Sequence, residues 1–350
     1  MIFASDNWAG ASPKVLAALT AAGSAGPLPA YGDDEITRRL DARFALVFDR
    51  EVDVVLVTTG TAANALSVAA FSPPWGQLLI HEEGHLAVDE CGAPEFFAGT
   101  RTVGLPGRFG KLDAADLAAR LATWPIGVHH GKPAVLSISQ ANECGRIYSV
   151  AEVTALAEVA HAHGLALHMD GARLANAVAR LGCSLAEITW KAGVDVLSFG
   201  ATKGGCAMAE AIVSFVPGKR EELAFRRKRA GHLISKHRFV AAQFEAWLDG
   251  GHWLDLAAHA NAMADRLTAG IRAAREARLA WEPEANEVFV VMTPATAARL
   301  TAAGARFYDW STTGLAPQDR PADGEALFRL VTSFATTSAE VDAFLATLDG

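Results

Sequence analysis

An aspartate and a lysine follow two short apolar runs in the middle of this sequence. Asp170 comes directly after the run 166–169, and Lys203 follows the run 194–199. Each run predicts a buried strand, and side chains that follow neighbouring strands of a βα scaffold meet at the carboxyl edge of the sheet. A lysine can form a Schiff base with the aldehyde of pyridoxal phosphate, and a carboxylate can pair with its protonated pyridine nitrogen. The pair therefore predicts a pyridoxal phosphate site, which we favour over two solvated surface groups.

A glycine and a threonine after an earlier predicted strand form the candidate phosphate site. Gly60 permits a tight turn, and Thr61 precedes a predicted helix over 62–71. The free amides of a helix start and the threonine hydroxyl can hold an anion at the positive end of the helix dipole. Such a pair on its own is also a common helix cap, so its interpretation depends on Asp170 and Lys203.

Two histidines, His81 and His85, are four positions apart in an acidic segment. This spacing suits zinc when both histidines lie on one helix. Gly84 and the preceding predicted strand favour a loop-to-helix junction instead, so zinc is the weaker alternative and we predict no metal site. We predict that His85 stacks on the open face of a flat cofactor, available for acid–base chemistry. The alternative is an ordinary histidine at a helix start.

Three further side chains are candidates for acid–base chemistry or anion binding. His129 lies in a predicted turn, and the pKa of histidine suits a general base, although paired loop histidines are often surface residues. Arg173 is near enough to Asp170 to reach the same site, or it is a surface helix residue. Arg329 lies within the apolar run 326–331, where a charge is costly unless it meets an anion. Arg329 is therefore the candidate for bidentate binding of a substrate carboxylate.

The elements that must position these residues follow from strand–helix alternation between about residues 50 and 215. The predicted strands are 52–58, 77–81, 135–139, 165–169, 194–198 and 211–215, and the predicted helices are 62–71, 151–163 and 185–192. Ser149 with Glu152, and Ser184 with Glu187, form capping boxes. Without hairpin signals, the alternation predicts a mostly parallel sheet covered by helices on both faces.

After residue 215 the pattern changes to that of a smaller α+β unit. We predict two or three helices between 219 and 278 with a break at Gly250-Gly251, then strands at 288–292 and 328–331, and helices at 295–303 and 338–348, the last opened by a Thr337/Glu340 capping box. A chain of 350 residues exceeds one ordinary core. The predicted division is an N-terminal segment 1–20, a large cofactor-binding domain 21–245 and a small C-terminal domain 246–350.

Composition excludes several classes of function. The net charge of −8 argues against a nucleic-acid surface. Four scattered cysteines suggest reduced thiols in a cytoplasmic protein. The sequence shows neither a signal core nor an apolar run approaching ~20 residues, so we expect neither secretion nor a membrane span. No Gly-x-Gly-x-x-Gly opens a helix, which disfavours an NAD-binding or non-catalytic α/β protein.

Together and in this order, the motifs resemble the aromatic amino acid β-eliminating lyase/threonine aldolase family of fold-type I pyridoxal phosphate enzymes, and within it the low-specificity bacterial subgroup. The similarity covers almost the whole chain, and it is carried by 4–7, 30–34, 59–64, His85 with 89–95, 168–173, 199–203 and Arg329. The resemblance implies an aspartate aminotransferase-like fold with a seven-stranded sheet. It also implies retro-aldol cleavage of L-threonine, L-allo-threonine or L-phenylserine to glycine and an aldehyde. The alternative is β-elimination, transamination or racemisation on the same cofactor.

The resemblance also implies a role for each candidate residue. Around the cofactor, Lys203 would form the Schiff base and Asp170 would pair with the pyridine nitrogen. Gly60 and Thr61 would bind the phosphate, His85 would stack on the ring face, and Arg173 would lie against the ring hydroxyl. The amino acid substrate would be surrounded by Ser5, Tyr31, Arg173 and Arg329, with His129 as a second active-site histidine. The family is a homotetramer built from dimers with shared sites, so Lys228 or Lys236 would serve a neighbour's phosphate.

Two segments depart from the family's pattern. Residues 140–145 differ from the Glu-Asn-Thr-His motif found in other members, and Val88-Asp89 stands where many members have an aromatic residue. Both segments are expected to line the region that meets the substrate's side chain, so they bear on substrate preference.

Overall fold

The structure is a computed structural model that describes residues 1–125, 127–313, 315–348 and 350. Its strands are β1 (Asp53–Val57), β2 (Gly76–His81), β3 (Arg101–Leu105), β4 (Lys132–Ser139), β5 (Ala166–Gly171), β6 (Val196–Gly200), β7 (Glu210–Ser214), β8 (Ala277–Leu279), β9 (Glu287–Met292), β10 (Tyr308–Asp309) and β11 (Ala326–Val331). Its helices are α1 (Pro13–Ser24), α2 (Glu35–Phe48), α3 (Gly60–Phe71), α4 (His85–Val88), α5 (Ala93–Ala98), α6 (Ala114–Ala122), α7 (Val150–Ala162), α8 (Leu174–Leu181), α9 (Leu185–Ile188), α10 (Arg220–Arg229), α11 (Arg238–Leu248), α12 (His252–Ala273), α13 (Pro294–Ala302) and α14 (Ser338–Leu348).

Seven strands form the large sheet, in the order β1-β7-β6-β5-β4-β2-β3. Strand β7 is antiparallel to both of its neighbours, and the other pairs are parallel. Every residue of β2, β6 and β7 is buried, because helices cover both faces and leave no solvent side for polar residues. The predicted α/β fold with a mostly parallel seven-stranded sheet is confirmed.

The C-terminal part contains a second, antiparallel sheet in the order β10-β11-β9-β8. The N-terminus joins this unit, because the Phe3 amide donates to Arg306 and the Phe3 carbonyl accepts from the Val331 amide. The Phe3 ring packs edge-on against Phe344 with 5.3 Å between ring centroids. The first residues therefore belong with the small sheet, while the boundaries at residues 20 and 245 stay predictions.

Local sequence patterns predicted most elements but missed the weakly apolar ones. Both backbone and side-chain bonds of the three predicted capping boxes are present. Strand β3 was missed because its exposed, glycine-containing sequence lacks an apolar run. The helix predicted over 185–192 is interrupted at Thr189, whose φ of −110° and ψ of −103° separate α9 from a 3-10 turn. Among the residues that the structure describes, no helix is long and apolar enough to cross a membrane.

Candidate active site

Asp170 lies near the carboxyl end of β5, buried between its parallel neighbours β4 and β6. Its Oδ2 atom accepts a hydrogen bond from Asn64 Nδ2 at 2.9 Å, and its Oδ1 accepts from the Ala172 amide at 3.0 Å. Asn64 comes from α3, of which nearly every residue is buried against the sheet. Two rigid elements thus fix the carboxylate at the sheet edge where the sequence predicts it.

Asn64 begins a hydrogen-bonded chain that the sequence did not reveal. Its Nδ2 atom also donates to Glu90 Oε1 at 2.8 Å, and the same oxygen lies 2.9 Å from His85 Nδ1. Burial raises the pKa of Glu90, and the hydrogen bond to Glu90 raises the pKa of His85. Both Asn64 and Glu90 fall within the motifs of the family resemblance, but nothing in their spacing indicated that they would meet Asp170 and His85.

The same side chains are close enough together to invite a metal interpretation. One ligand atom each from His85, Glu90 and Asp170 lie within 4.8 Å of one another. However, the Asn64 side-chain nitrogen, a donor with no free lone pair for a cation, hydrogen-bonds to both carboxylates. His81 lies on β2 and His85 begins α4, so the two histidines do not share the helix that zinc binding through them requires.

The start of α3 provides the predicted phosphate position. The first amides of a helix have no intrahelical acceptor, and the Thr59 hydroxyl satisfies only that of Ala62. A Cβ atom built on Gly60 would meet no heavy atom of the described chain within 4 Å. Since Asn64 lies one turn further along α3 and contacts Asp170, the open helix start belongs to the same site. Free amides, the positive helix end and the Thr61 hydroxyl suit a phosphate group.

Lys203 lies in the turn that follows β6 and is partly buried. It is close enough to Asp6, His85 and Glu210 for its charge to act on their pKa values. Burial raises the pKa of Glu210, in β7, to about 7. The lysine and the Asp170 network therefore converge within one subunit.

Arg173 is buried and is held by a carboxylate that the sequence did not reveal. Its Nε and Nη2 atoms donate to the two oxygens of Asp6 at 2.7 and 3.0 Å, and its Nη1 lies 3.4 Å from Glu287. Burial alone would raise the pKa of Asp6, but the charges of Arg173 and Lys203 outweigh it and lower that pKa. Because Asp6 occupies the bidentate edge of Arg173, only Nη1 remains for a substrate. Next to Asp6, the Ser5 hydroxyl accepts a hydrogen bond from the Asn7 amide and so caps the short 3-10 turn Asp6–Trp8.

Arg329 is a partly buried residue whose guanidinium leaves most of its hydrogen-bonding capacity unused among the described residues. Its Nη1 lies 3.7 Å from Glu287, and no described residue accepts a hydrogen bond from its Nε. The guanidinium stacks over the Trp310 ring at 4.3 Å. Glu287 is fully buried, neither of its oxygens has a described hydrogen-bond donor, and burial raises its pKa. The Arg329 guanidinium can therefore bind a second carboxylate at closer range than it binds Glu287.

Two predicted site residues, His129 and Tyr31, form no described hydrogen bond with the Asp170 network. His129 is exposed in the loop before β4, whereas Asp170 lies near the carboxyl end of β5, the parallel neighbour of β4. The eight residues of β4, at about 3.3 Å each, separate the two edges of the sheet. Within one chain His129 therefore lies at the opposite edge from Asp170, and its role as a base stays a prediction. Tyr31 is exposed, and its ring lies 5.2 Å from Lys228 Nζ. Roles for Lys228 or Lys236 in a neighbouring copy stay predictions.

A cavity of about 550 Å³ adjoins the network on the His85 side. The residues that line it are Glu82, Glu83, Val88, Asp89, Glu143, Cys144, Trp310, Ser311 and Thr313. They include members of both segments that depart from the family's pattern, 140–145 and Val88-Asp89. Because the Arg329 guanidinium stacks on Trp310, the cavity extends from the Asp170 network towards the candidate carboxylate site.

The donor set as a whole fits pyridoxal phosphate. An open helix start can hold its phosphate, a buried carboxylate its pyridine nitrogen, an imidazole its ring face and a lysine amine its aldehyde. All four come from this one chain. The sequence predicted each of these groups, and the structure adds Asn64 and Glu90, which position two of them.

Comparisons with known proteins agree with this geometry. The model of the beta-eliminating lyase family matches residues 3–295. The low specificity L-threonine aldolase of Pseudomonas aeruginosa is 41% identical over 307 residues, which cover 87% of this chain and 88% of that relative. The threonine aldolase structure of Leishmania major superposes with a TM-score of 0.89 at 29% identity over 99% of this chain and 98% of that one. The Sphingomonas wittichii serine palmitoyltransferase, at 17% identity and a TM-score of 0.71 over 100% and 86%, shares the fold.

Proposed function

Because this chain belongs to the beta-eliminating lyase family, we propose that it cleaves the Cα–Cβ bond of L-threonine, and of related β-hydroxy-α-amino acids such as L-allo-threonine and L-phenylserine. The products are glycine and an aldehyde. The enzyme is a pyridoxal phosphate-dependent lyase. The observation that carries the proposal is the buried Asp170, held by Asn64 in one site with Lys203 and Arg329.

The protein's own residues bind and orient the cofactor. When bound, the cofactor supplies an aldehyde that links to the substrate amine and a cationic ring that accepts the electrons of the broken bond. Lys203 offers its amine to that aldehyde, and Asp170 keeps the ring nitrogen protonated. Gly60 and Thr61 bind the phosphate, and His85 covers the ring face.

Other residues of the same chain orient the substrate. Arg329 binds the α-carboxylate, assisted by Nη1 of Arg173 and by the Ser5 hydroxyl. The β-substituent enters the cavity between Val88 and Trp310. Holding the carboxylate at one end and the β-substituent at the other would fix the orientation of the Cα–Cβ bond and so favour the cleavage of this bond over others.

The test is a product analysis of the purified protein supplied with pyridoxal phosphate. We expect glycine and the matching aldehyde from each substrate, and we expect Lys203→Ala to lose both turnover and the visible absorbance of the covalently held cofactor. Lys191→Ala, in which a surface lysine paired with Asp49 is removed, serves as the control and should keep both. Pyruvate with ammonia, an oxo acid or an inverted amino acid would identify β-elimination, transamination or racemisation instead.

We further propose that the active protein is a cytoplasmic homotetramer, a dimer of dimers with sites shared between subunits. His129 is exposed and lies at the opposite edge of the sheet from Asp170 in its own chain, and Tyr31 is exposed, so both are available to the site of a neighbouring copy. Light scattering of the purified protein tests the assembly. A monomer with full activity would contradict it.

A further inference from the structure

Retro-aldol cleavage requires a group that takes the proton of the β-hydroxyl. The following inference rests on the function proposed above. His129 lies at the opposite edge of the sheet in its own chain. Within one chain, the Nδ1 atom of His85 is engaged by Glu90 Oε1 at 2.9 Å, and its ring is proposed above to cover the cofactor face. The cavity on the substrate side of the site contains another acceptor.

Glu143 is positioned to be that acceptor. Its Oε1 atom accepts hydrogen bonds from the His85 backbone amide at 2.9 Å and from the Ser139 hydroxyl at 2.8 Å. These bonds join the carboxylate to α4 and to the end of β4. No other residue of the described chain donates to Oε2, and the side chain lines the 550 Å³ cavity. One oxygen is thus fixed and the other remains available.

The position of this carboxylate matches that expected for the β-hydroxyl. Asp170, the partner of the ring nitrogen, is near enough to act on the pKa of Glu143. Trp310 lines the same cavity, and the Arg329 guanidinium stacks on its ring. A substrate whose carboxylate binds Arg329 and whose β-substituent fills the cavity presents its β-hydroxyl between these groups.

We propose that Glu143 is the catalytic base of the reaction and that its Oε2 atom takes the proton of the β-hydroxyl. The electron pair of the broken O–H bond becomes the second bond of the aldehyde carbonyl. The Cα–Cβ bond breaks, and its electron pair stays on the Cα side until a solvent-derived proton adds there to give glycine. The Glu143 carboxylic acid then returns its proton to water.

The surroundings of Glu143 suit this role. Burial, with a smaller contribution from the charge of Asp170, raises the pKa of the Glu143 carboxyl and so makes it a stronger base than an exposed glutamate. Glu82, Glu83 and Asp89, which line the same cavity, add further negative charge on that side. In the part of the chain that the structure describes, no arginine or lysine forms an ion pair with Glu143.

The decisive variant is Glu143→Gln, whose amide oxygen can still accept from Ser139 and His85 but cannot take a proton. We expect kcat for L-threonine cleavage to fall about 100-fold or more, the scale of general-base catalysis. Glycine binding and the exchange of the glycine α-proton with D2O, followed by NMR, should stay within about threefold. Both depend on Lys203, Asp170 and Arg329 but involve no β-hydroxyl. An unchanged melting temperature of the cofactor-free protein would show that the fold is intact.

Glu83→Gln is the matched control, because it removes a charge from the same cavity wall without touching His85 or Ser139. Its cleavage rate should fall less than about fivefold. Equal losses in the two variants, or glycine exchange that falls in parallel with cleavage, would overturn the assignment of Glu143. If the wild type cleaves threonine and Glu143→Gln cleaves it equally fast, the inference fails while the proposed function stands. A wild type that exchanges glycine but cleaves no β-hydroxy amino acid contradicts the proposed function itself.

Discussion

The assignment of Arg329 to the substrate carboxylate leads to a quantitative prediction. In the structure its guanidinium is largely buried and stacks on Trp310, and among the described residues Glu287, at 3.7 Å, is the carboxylate with which it forms an ion pair. Such a group gains strongly from an incoming carboxylate, which can accept two parallel N–H bonds. We therefore expect Arg329→Gln to weaken binding of every α-amino acid, whatever its β-substituent.

The size of the effect follows from the bonds that are lost. A hydrogen bond involving a charged group contributes about 1.5–3 kcal/mol, so two contribute about 3–6 kcal/mol. The existing attraction between Arg329 and Glu287 offsets part of this gain, which leaves about 2–4 kcal/mol. Since about 1.4 kcal/mol corresponds to a factor of ten, KM for L-threonine and Kd for glycine should rise about 30- to 1,000-fold.

The assay compares L-threonine with its carboxamide in the wild type and in the variant. If Arg329 binds the carboxylate, the wild type should prefer the acid strongly and Arg329→Gln should lose most of that preference. Arg329→Lys, which keeps the charge without the planar fork, should lie between the two. Arg278→Gln, at an exposed arginine paired with Glu325, is the control and should behave as the wild type does.

Two outcomes would refute this reasoning. An unchanged KM in Arg329→Gln would return the residue to a structural role beside Trp310. A rise in KM of equal size for the acid and for the amide would mean that the substitution disturbs the cavity rather than a contact with the carboxylate.

Two other substitutions test the supporting network. Glu90→Gln should lower the pKa of His85 towards the ordinary value of about 6.5, because the hydrogen bond to Glu90 is the main cause of its elevation, and an NMR titration that finds this pKa unmoved contradicts that cause. Asp6→Asn should cost about 3–5 kcal/mol of unfolding free energy at pH 7, because it leaves Arg173 buried without its bidentate partner. The folded-state pKa of Asp6 is lowered, so its contribution is present above the unfolded value of about 3.9 and disappears as the pH falls through the folded pKa. Denaturant titrations should therefore show the gap between wild type and variant narrowing as the pH falls below about 4, and a gap that does not narrow there would contradict the ion pair.

The sequence alone predicted the architecture and the main candidate cofactor residues. Apolar runs, capping boxes and the Gly250-Gly251 break each depend on residues that are close together in the sequence, so they can be recognised without the fold. Asp170 and Lys203 could be placed together because parallel strands bring the residues after their carboxyl ends to one edge. Their convergence follows from topology that strand–helix alternation already implies.

Only the tertiary structure decided which polar side chains support that site. Asp6 binds Arg173 from 167 positions away, and Glu143 meets His85 from 58 positions away. No periodic pattern marks such partners, because a polar residue in a loop has the same local sequence whether it faces solvent or a buried charge. His129 shows the converse, since its residue type suited a base but the direction of β4 carries it to the opposite edge of the sheet. Residue type limits the chemistry that a side chain can perform, whereas the three-dimensional path of the backbone sets the distances on which that chemistry depends.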